Sequence, residues 1–269
     1  MRVRLTLIAA ALAIAIPVGV PSVASAAKGK PNGSDAHPWP ERVRAAARFL
    51  RGRGGSASFA VIDERGRIHG YRRAVQYSSA SLVKAMLLVA YLRRGDVRRR
   101  RLRGSERSLL GPMIRISDND AATAIYGRVG ASGLSRLARR AGMRRFVPNL
   151  IWGGSQVTAR DQARFFFRIR GLVPKRHRSY ALGLLRRIVP PQRWGIPSSK
   201  PAGWRIHFKG GWVPDDDGWR VHQAALLRQG HRKLAIAILT RGSPSLGYGA
   251  DTIAGVTARL LRGYRAADG

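Results

Sequence analysis

The sequence predicts an α+β fold, in which an antiparallel sheet made from both chain ends is covered by the terminal helices and carries an inserted all-helical subdomain. Three patterns support this fold: β-rich segments before residue 76, helical apolar spacing through residues 77–199, and β-rich segments followed by a helix after residue 205. A single domain over residues 38–265 accommodates them. Its sheet subdomain comprises residues 38–76 and 200–265, and its helical subdomain comprises residues 77–199.

The first elements of this domain are a helix and a β-hairpin. Apolar residues at helical spacing after Pro40 predict a helix to Leu50, which the glycines that follow should end. Two β-rich segments around an Asp-Glu-Arg-Gly turn predict the hairpin, with strands over residues 56–62 and 67–71.

The helical subdomain opens with the most apolar segment of the domain. Apolar residues surround most of this helix, so we expect it to be central and buried, with Ser81 and Lys84 in its first turn and its end near Arg94. Asp118, Ser132 and Thr158 precede other helical patterns and are predicted N-caps. The further predicted helices span residues 105–116, 121–129, 132–141, 159–169 and 177–189, and residues 146–156 are predicted to form a loop.

Strand patterns dominate the C-terminal part of the chain. Predicted strands cover residues 206–213, 219–228 and 233–240, and a final helix covers residues 250–264. A turn of sequence Pro-Asp-Asp-Asp-Gly explains the three consecutive aspartates at 215–217 better than a cation site does.

The composition limits the classes of site and partner. The chain lacks cysteine, which excludes disulfides and thiolate metal sites, and its histidines form no metal-ligand pattern. Its 50 basic and 14 acidic residues give a formal charge of +36. General surface charge is the favoured explanation, followed by attraction to anionic cell-envelope polymers. Nucleic acid is not expected as a partner, because the arginines form short scattered clusters without a recognisable binding motif.

The N-terminus predicts export. Arg2 and Arg4 precede an apolar run, and Ala24-Ser25-Ala26 is typical of a cleavage site, so residues 1–26 are predicted as a signal peptide. Residues 27–37 follow as a flexible leader. We therefore expect a secreted or extracytoplasmic protein, and an uncleaved N-terminal anchor is the alternative.

Three short motifs at element boundaries carry the candidate chemistry. Ser81-x-x-Lys84 places a hydroxyl and an amine on one face of a helix start, where burial makes the lysine a better proton acceptor. Ser117-Asp118-Asn119 falls in a turn between helices, and Lys209-Gly210-Gly211 falls on the first C-terminal strand. Each motif is common alone, whereas their order and placement together are much rarer.

With these motifs the chain resembles the penicillin-recognising serine hydrolases, most closely the class A β-lactamases and related β-lactamase-like hydrolases. The resemblance covers about residues 40–265 and implies a β-lactamase/transpeptidase-like fold. It implies that Ser81 is acylated, that Lys84 accepts its proton, and that Ser117 passes a proton to the leaving nitrogen. The implied substrate-binding residues are Asn119, Lys209, Gly211 and Trp212, and the backbone N–H groups of Ser81 and Trp212 would form the oxyanion hole.

The chain also departs from this family. Gly210 stands where the family carries a hydroxyl residue, and Ser81 lies only 36 positions before Ser117, which predicts a more open cleft. No glutamate follows Glu106, so the loop at 146–156 lacks the carboxylate with which class A enzymes activate water. Asp161 is the nearest acid, and it is expected to stabilise a helix start. Because general-base assistance is worth roughly 10²- to 10⁴-fold, deacylation should be slow.

The sequence therefore predicts an exported monomeric serine hydrolase that forms an acyl-enzyme with β-lactams or D-alanyl peptide-like amides. The alternative is a non-catalytic protein of the same fold that binds envelope polyanions or peptidoglycan. No metal or cofactor is implied. Trp152 and Trp212 are candidates for the cleft wall. His207 is expected to be a packing or surface residue, and the phenylalanines at 165–167 are expected to lie in the core.

Overall fold

A computed structural model describes residues 37–264 of the chain. The predicted signal peptide and the leader up to residue 36 lie outside the described residues. The helices are α1 (Trp39–Arg51), α2 (Lys84–Leu92), α3 (Gly104–Arg115), α4 (Asn119–Ala141), α5 (Ala159–Leu172), α6 (Arg178–Arg186) and α7 (Leu246–Leu261). The strands are β1 (Ser56–Ile62), β2 (Ile68–Tyr71), β3 (Gln76–Ser78), β4 (Gln156–Thr158), β5 (Arg205–Asp215), β6 (Gly218–Gln229) and β7 (Arg232–Ser243).

The main sheet joins the two ends of the described chain, which confirms the predicted α+β class. Its strand order is β2-β1-β7-β6-β5, and every neighbouring pair is antiparallel. The register of β1 against β7 places Phe59 opposite Ile238 and Ala60 opposite Ala237. The N-terminal hairpin and the three C-terminal strands therefore form one continuous surface.

Two hydrophobic cores lie on opposite faces of this sheet. Phe59, Val61 and Ile238 pack on one face with buried residues of α1 and α7. Ala60 and Ala237 pack on the other face with the helical block, including the phenylalanines at 165 and 166. Successive residues of a strand point to opposite faces, so a strand buried on both sides must be apolar at nearly every position.

Helix α2 is the centre of the helical block, as its composition predicts. Every residue from 84 to 92 is buried. The first predicted turn is not α-helical, however, because residues 80–83 form a 3₁₀ helix. Ser81 therefore lies in this tighter turn, and Lys84 is the first residue of the α-helix.

Other boundaries differ from the sequence prediction for local reasons. A kink at Gly130, whose φ is +64°, divides α4 close to the predicted break after residue 129, but Ser132 lies inside the helical stretch that follows the kink and is not its cap. The predicted loop after residue 146 ends in β4, which pairs with β3 in a small second sheet. Helix α7 begins at Leu246, because Ser245 accepts a hydrogen bond from the backbone N–H of Tyr248.

Glu106 joins helix α3 to helix α2. Its buried carboxylate accepts hydrogen bonds from the Arg103 backbone N–H at 2.7 Å and from the Tyr91 hydroxyl at 2.9 Å. Arg100 donates to both of its oxygens, at 2.6 and 2.8 Å. This guanidinium, with the other donors, lowers the pKa of Glu106 to about 2. The network fixes the direction of α3, whose end leads into Ser117.

Replacing Glu106 with glutamine should reduce the free energy of unfolding by about 2 kcal/mol, because a neutral amide has only one oxygen to accept from the Tyr91 hydroxyl and the Arg103 N–H. Glu41→Gln is the matched control, since the Glu41 side chain is 61% exposed and lies 3.8 Å from Arg42. Its effect should stay within about 0.5 kcal/mol. Urea unfolding at pH 7 measures both variants, and equal effects would refute the structural role of Glu106.

Candidate active site

The hydroxyl of Ser117 is the point at which the three motifs meet. Lys84 Nζ lies 3.3 Å from Ser117 Oγ and also donates to the Ser117 carbonyl and, at 2.7 Å, to Asn119 Oδ1. Lys209 Nζ donates to the same Ser117 Oγ at 3.0 Å and to the Gly210 carbonyl at 2.7 Å. Two amines from α2 and β5 thus share one hydroxyl from the turn before α4.

Burial favours the neutral form of both lysines. Neither side chain is exposed to solvent. Burial lowers the pKa of Lys84 to about 8, and the nearby Asp118 carboxylate offsets part of this effect. Burial lowers the pKa of Lys209 well below its ordinary value, and repulsion by Lys84 adds to that shift. A neutral amine, able to accept a proton, is therefore accessible at mildly alkaline pH.

The turn at Ser117 is held in an uncommon backbone conformation. Its φ is +64°, in the left-handed region that serine seldom adopts. Asp118 directly follows as the N-cap of α4 and accepts a hydrogen bond from the Ala121 N–H at 2.7 Å, which confirms its predicted capping role. The capped helix and the two lysines hold the Ser117 carbonyl and hydroxyl in place.

Ser81 lies in a second strained turn. The preceding residue, Ala80, has a φ of +46°, and the half-buried Ser81 side chain makes no hydrogen bond with the part of the chain that the structure describes. Strand β5 passes directly over this turn. A Cβ atom added to Gly211 would lie 2.6 Å from the Leu82 backbone nitrogen and 2.9 Å from that of Ser81. Only glycine permits this approach, which brings the start of Trp212 to the Ser81 turn.

His222 is a site-supporting residue that the sequence pattern did not reveal. It lies opposite Gly211 in the β5–β6 register and is fully buried. The Thr240 backbone N–H donates to its Nδ1 at 3.2 Å, so its Nε2 carries the hydrogen and donates to the Ser78 carbonyl at 3.0 Å. His222 thereby ties β6 to β3, shortly before the Ser81 turn. Burial lowers its pKa to about 4.

Aromatic side chains form the walls beside the lysines. The Trp152 ring centroid lies 4.7 Å from Lys84 Nζ, and its indole N–H donates to Thr123 Oγ1 at 3.1 Å. The Trp212 centroid lies 5.9 Å from Lys209 Nζ, and Trp194 packs edge-on against it. Trp194 lies in an irregular connection without a motif, so the sequence offered no signal for it.

The remaining candidates lie away from this cluster. Asp161 accepts hydrogen bonds from the Arg144 and Arg145 N–H groups at 3.1 and 2.8 Å, at the start of α5, which supports its structural assignment. His207 is buried against α6, within 2.9 Å of the Leu182 carbonyl. Between residues 37 and 264, no three carboxylate or imidazole side chains form a metal-binding group. No helix in that range is long and apolar enough to span a membrane.

The close approach at Gly211 predicts that alanine affects stability differently at two neighbouring glycines. Gly211→Ala should reduce stability by about 2–3 kcal/mol, because the added methyl group meets backbone atoms that cannot move aside. Gly210→Ala should be tolerated, since its added Cβ would lie 3.6 Å from the nearest atoms, which belong to Trp194 and Trp212. Thermal unfolding measures both, and a Gly211→Ala variant as stable as Gly210→Ala would contradict this packing.

The low pKa of His222 predicts a pH-dependent loss of stability. The unfolded chain protonates this imidazole near pH 6.5, whereas the folded chain does so only near pH 4. Folding keeps His222 neutral, and the free energy of unfolding therefore includes the full His222 contribution above pH 6.5. That contribution falls by up to about 3 kcal/mol as the pH drops toward 4. His222→Gln should be less stable at pH 8 but should lack this component of the pH dependence. Chemical unfolding between pH 8 and 4 tests the difference, and parallel pH profiles would exclude it.

Comparisons with known proteins agree with this architecture. A β-lactamase from Sphaerobacter thermophilus matches with 20% identity and a TM-score of 0.69, covering 84% of this chain and 97% of its own. A class A β-lactamase from Mycobacterium abscessus matches with 20% identity and a TM-score of 0.69, over 83% and 99%. The structure of PBP-A matches with 19% identity and a TM-score of 0.69, over 84% and 96%. At these identities the likeness shows the fold alone.

A search of curated proteins finds no match. A family model does match. The model described as Beta-lactamase enzyme family covers residues 99–264, which include Ser117, Asn119 and Lys209, and begins after Ser81 and Lys84. This range is more than half of the 269 residues. The chain therefore belongs to the beta-lactamase enzyme family.

Proposed function

We propose that this chain is an exported serine hydrolase that forms an acyl-enzyme at Ser81 with β-lactams or D-alanyl peptide-like amides and releases it slowly. Membership of the family supports hydrolase activity. The observation that carries the finer proposal is the convergence of Lys84 and Lys209 on the Ser117 hydroxyl, together with the close approach of Gly211 to the backbone of the Ser81 turn.

The acylation step uses the buried amine of Lys84. In its neutral form this amine accepts the proton of the Ser81 hydroxyl, directly or through a water molecule, while Ser81 Oγ attacks the substrate carbonyl. The backbone N–H groups of Ser81 and Trp212 would stabilise the oxyanion, at about 3 kcal/mol each. The close approach of strand β5 to the Ser81 turn supports this pairing of donors.

The collapse of the tetrahedral intermediate requires a proton on the leaving nitrogen. Ser117 Oγ is suited to deliver it, because it contacts Lys84 on one side and Lys209 on the other. Lys209 also supplies positive charge for a substrate carboxylate. Asn119 orients Lys84 through its amide oxygen and has a free amide group for the substrate, since its side chain is exposed.

Slow deacylation follows from what surrounds Lys84. Its contacts are with Ser117, Asn119 and the face of Trp152, and no carboxylate among residues 37–264 bonds to it. The loop that would hold a glutamate presents the Trp152 ring instead. A water molecule attacking the ester would rely on Lys84 alone, without a general base worth roughly 10²- to 10⁴-fold.

The absence of this carboxylate also favours a second candidate, a non-catalytic protein that binds peptidoglycan on the same fold. The two candidate functions differ in whether they require the Ser81 hydroxyl. A hydrolase requires the Ser81 hydroxyl, whereas a binding protein does not, and the unbonded state of that hydroxyl favours the hydrolase.

Intact-mass spectrometry after mixing with benzylpenicillin tests the proposal. One adduct of the full penicillin mass should appear on the peptide that contains Ser81 and persist for many minutes. Its rate of formation should rise with pH and level off above about pH 8, because only neutral Lys84 accepts the proton. Ser81→Ala should abolish the adduct, and Ser132→Ala, at an exposed serine of α4, should not.

Three outcomes would overturn the proposal. A chain that forms no adduct at millimolar penicillin would indicate the binding protein. An adduct that survives in Ser81→Ala would assign the nucleophile elsewhere. An adduct that vanishes within seconds would show that an efficient deacylation route exists despite the missing carboxylate.

A further inference from the structure

A row of three cations crosses the sheet away from the candidate active site. Arg205 on β5 lies directly opposite Arg228 on β6, and Arg228 lies directly opposite Lys233 on β7. Residues that are directly paired point to the same face, with their Cβ atoms about 5 Å apart. We call Arg205, Arg228 and Lys233 the basic row.

Two further arginines come close to the basic row from the helices packed on that face. Arg170 belongs to the last turn of α5. Burial lowers the pKa of Arg228, and electrostatic repulsion by Arg170 and Arg205 lowers it further. Arg186 is the last residue of α6. Burial is the main cause that lowers the pKa of His207, and the positive charges of Arg186, Arg205 and Arg228 lower it further. Five cations therefore share one region.

Among the described residues, none of these five cations forms an ion pair. Lys233 Nζ lies 4.0 Å from the centre of the Phe167 ring, and Arg228 reaches the Gly230 carbonyl at 3.3 Å. The chain does pair arginines elsewhere. Arg232, one residue before Lys233 and on the opposite face, is bound to Glu64 at 2.8 Å. Within the described range, no carboxylate therefore neutralises the basic row on its own face of the sheet.

Like charges directly opposite one another destabilise a sheet, so the basic row has a cost that a bound anion would remove. We propose that the basic row, together with Arg170 and Arg186, binds a linear polyanion that carries phosphate groups. Guanidinium groups match phosphate oxygens in a two-point geometry, and four of the five cations are arginines. Two strand spacings make the row about 10 Å long, which is enough for more than one phosphate.

A polymer fits this surface better than a membrane does. Proteins that bind a membrane surface insert apolar side chains beside their basic residues. The exposed large apolar residues in the described range are Ile116, Val147, Leu150 and Ile151, next to Ser117 and Trp152 in the chain. None of them belongs to the strand ends or helix ends that carry the basic row.

The basic row is separate from the proposed catalytic residues. Arg205 precedes Lys209 by four residues on β5, about 13 Å along the strand. His207 stands between them and contacts the Leu182 carbonyl of α6 at 2.9 Å, so α6 covers the strand between the two sites. Binding of a polyanion should therefore not depend on Ser81.

Titration of the full chain with fluorescently labelled inorganic polyphosphate, followed by anisotropy at several salt concentrations, tests the proposal. Arg228→Gln should weaken binding about tenfold or more, and should reduce the slope of log K against log salt by about one, because one phosphate contact is lost. The same variant should unfold at a higher temperature without ligand, since it removes both like-charge pairs.

Arg48→Gln is the matched control. It removes the same charge from an exposed position on α1, which packs on the other face of the sheet, and should change the affinity by less than twofold. Ser81→Ala should bind like the unmodified chain, so that loss of acylation and loss of polyanion binding are told apart.

Equal weakening by Arg228→Gln and Arg48→Gln would overturn the proposal, because net charge alone would then explain binding. No binding of polyphosphate at 50 mM salt would also overturn it. Binding to vesicles that contain phosphatidylglycerol, without binding to polyphosphate, would assign this surface to a membrane and contradict the proposed polymer.

Discussion

The burial of two lysine amines around one serine hydroxyl is the constraint on which the rest of the site depends. An ammonium group loses much of its hydration when it is buried, and two of them repel each other. Lys84 and Lys209 compensate through the oxygens of Ser117, Asn119 and Gly210. Each of these acceptors must be held accurately, because moving any one of them would leave a buried donor without a partner.

The surrounding structure provides this accuracy with rigid elements. Asp118 caps α4 and fixes the turn that carries Ser117, while the Glu106 network fixes the helix that leads into it. On the other side, Gly211 lets β5 touch the Ser81 turn, and His222 binds the sheet to the Ser78 carbonyl. The positive φ angles at Ala80 and Ser117 show that both turns are held against their local preference.

The chemistry that this site supports is shaped as much by the Trp152 loop as by the lysines. Burial lowers the pKa of Lys84, which under the proposed mechanism lets its amine accept the Ser81 proton, and the face of Trp152 lies 4.7 Å from that amine. The same face provides no oxygen to orient a second water molecule. Burial of Lys84 and the absence, among the described residues, of a carboxylate bonded to it thus account for the two halves of the proposed behaviour, acylation followed by slow release. The basic row, in contrast, uses charge without any of this machinery.

The amino-acid sequence by itself determined the fold class, the five strands of the main sheet to within three residues, and the three motifs. Alternating or continuous apolar patterns report which faces are buried, and α2 and β5 to β7 lie close to where those patterns predict them. Asp118 and Thr158 cap helices as expected, because capping depends on a few neighbouring residues. Only the tertiary structure decided that Lys84 and Lys209 share the Ser117 hydroxyl, that His222 supports the Ser81 turn, and that Arg205, Arg228 and Lys233 lie in one row. These relations join residues far apart in the chain, and strand register and helix packing, which no local pattern encodes, set the distances between them.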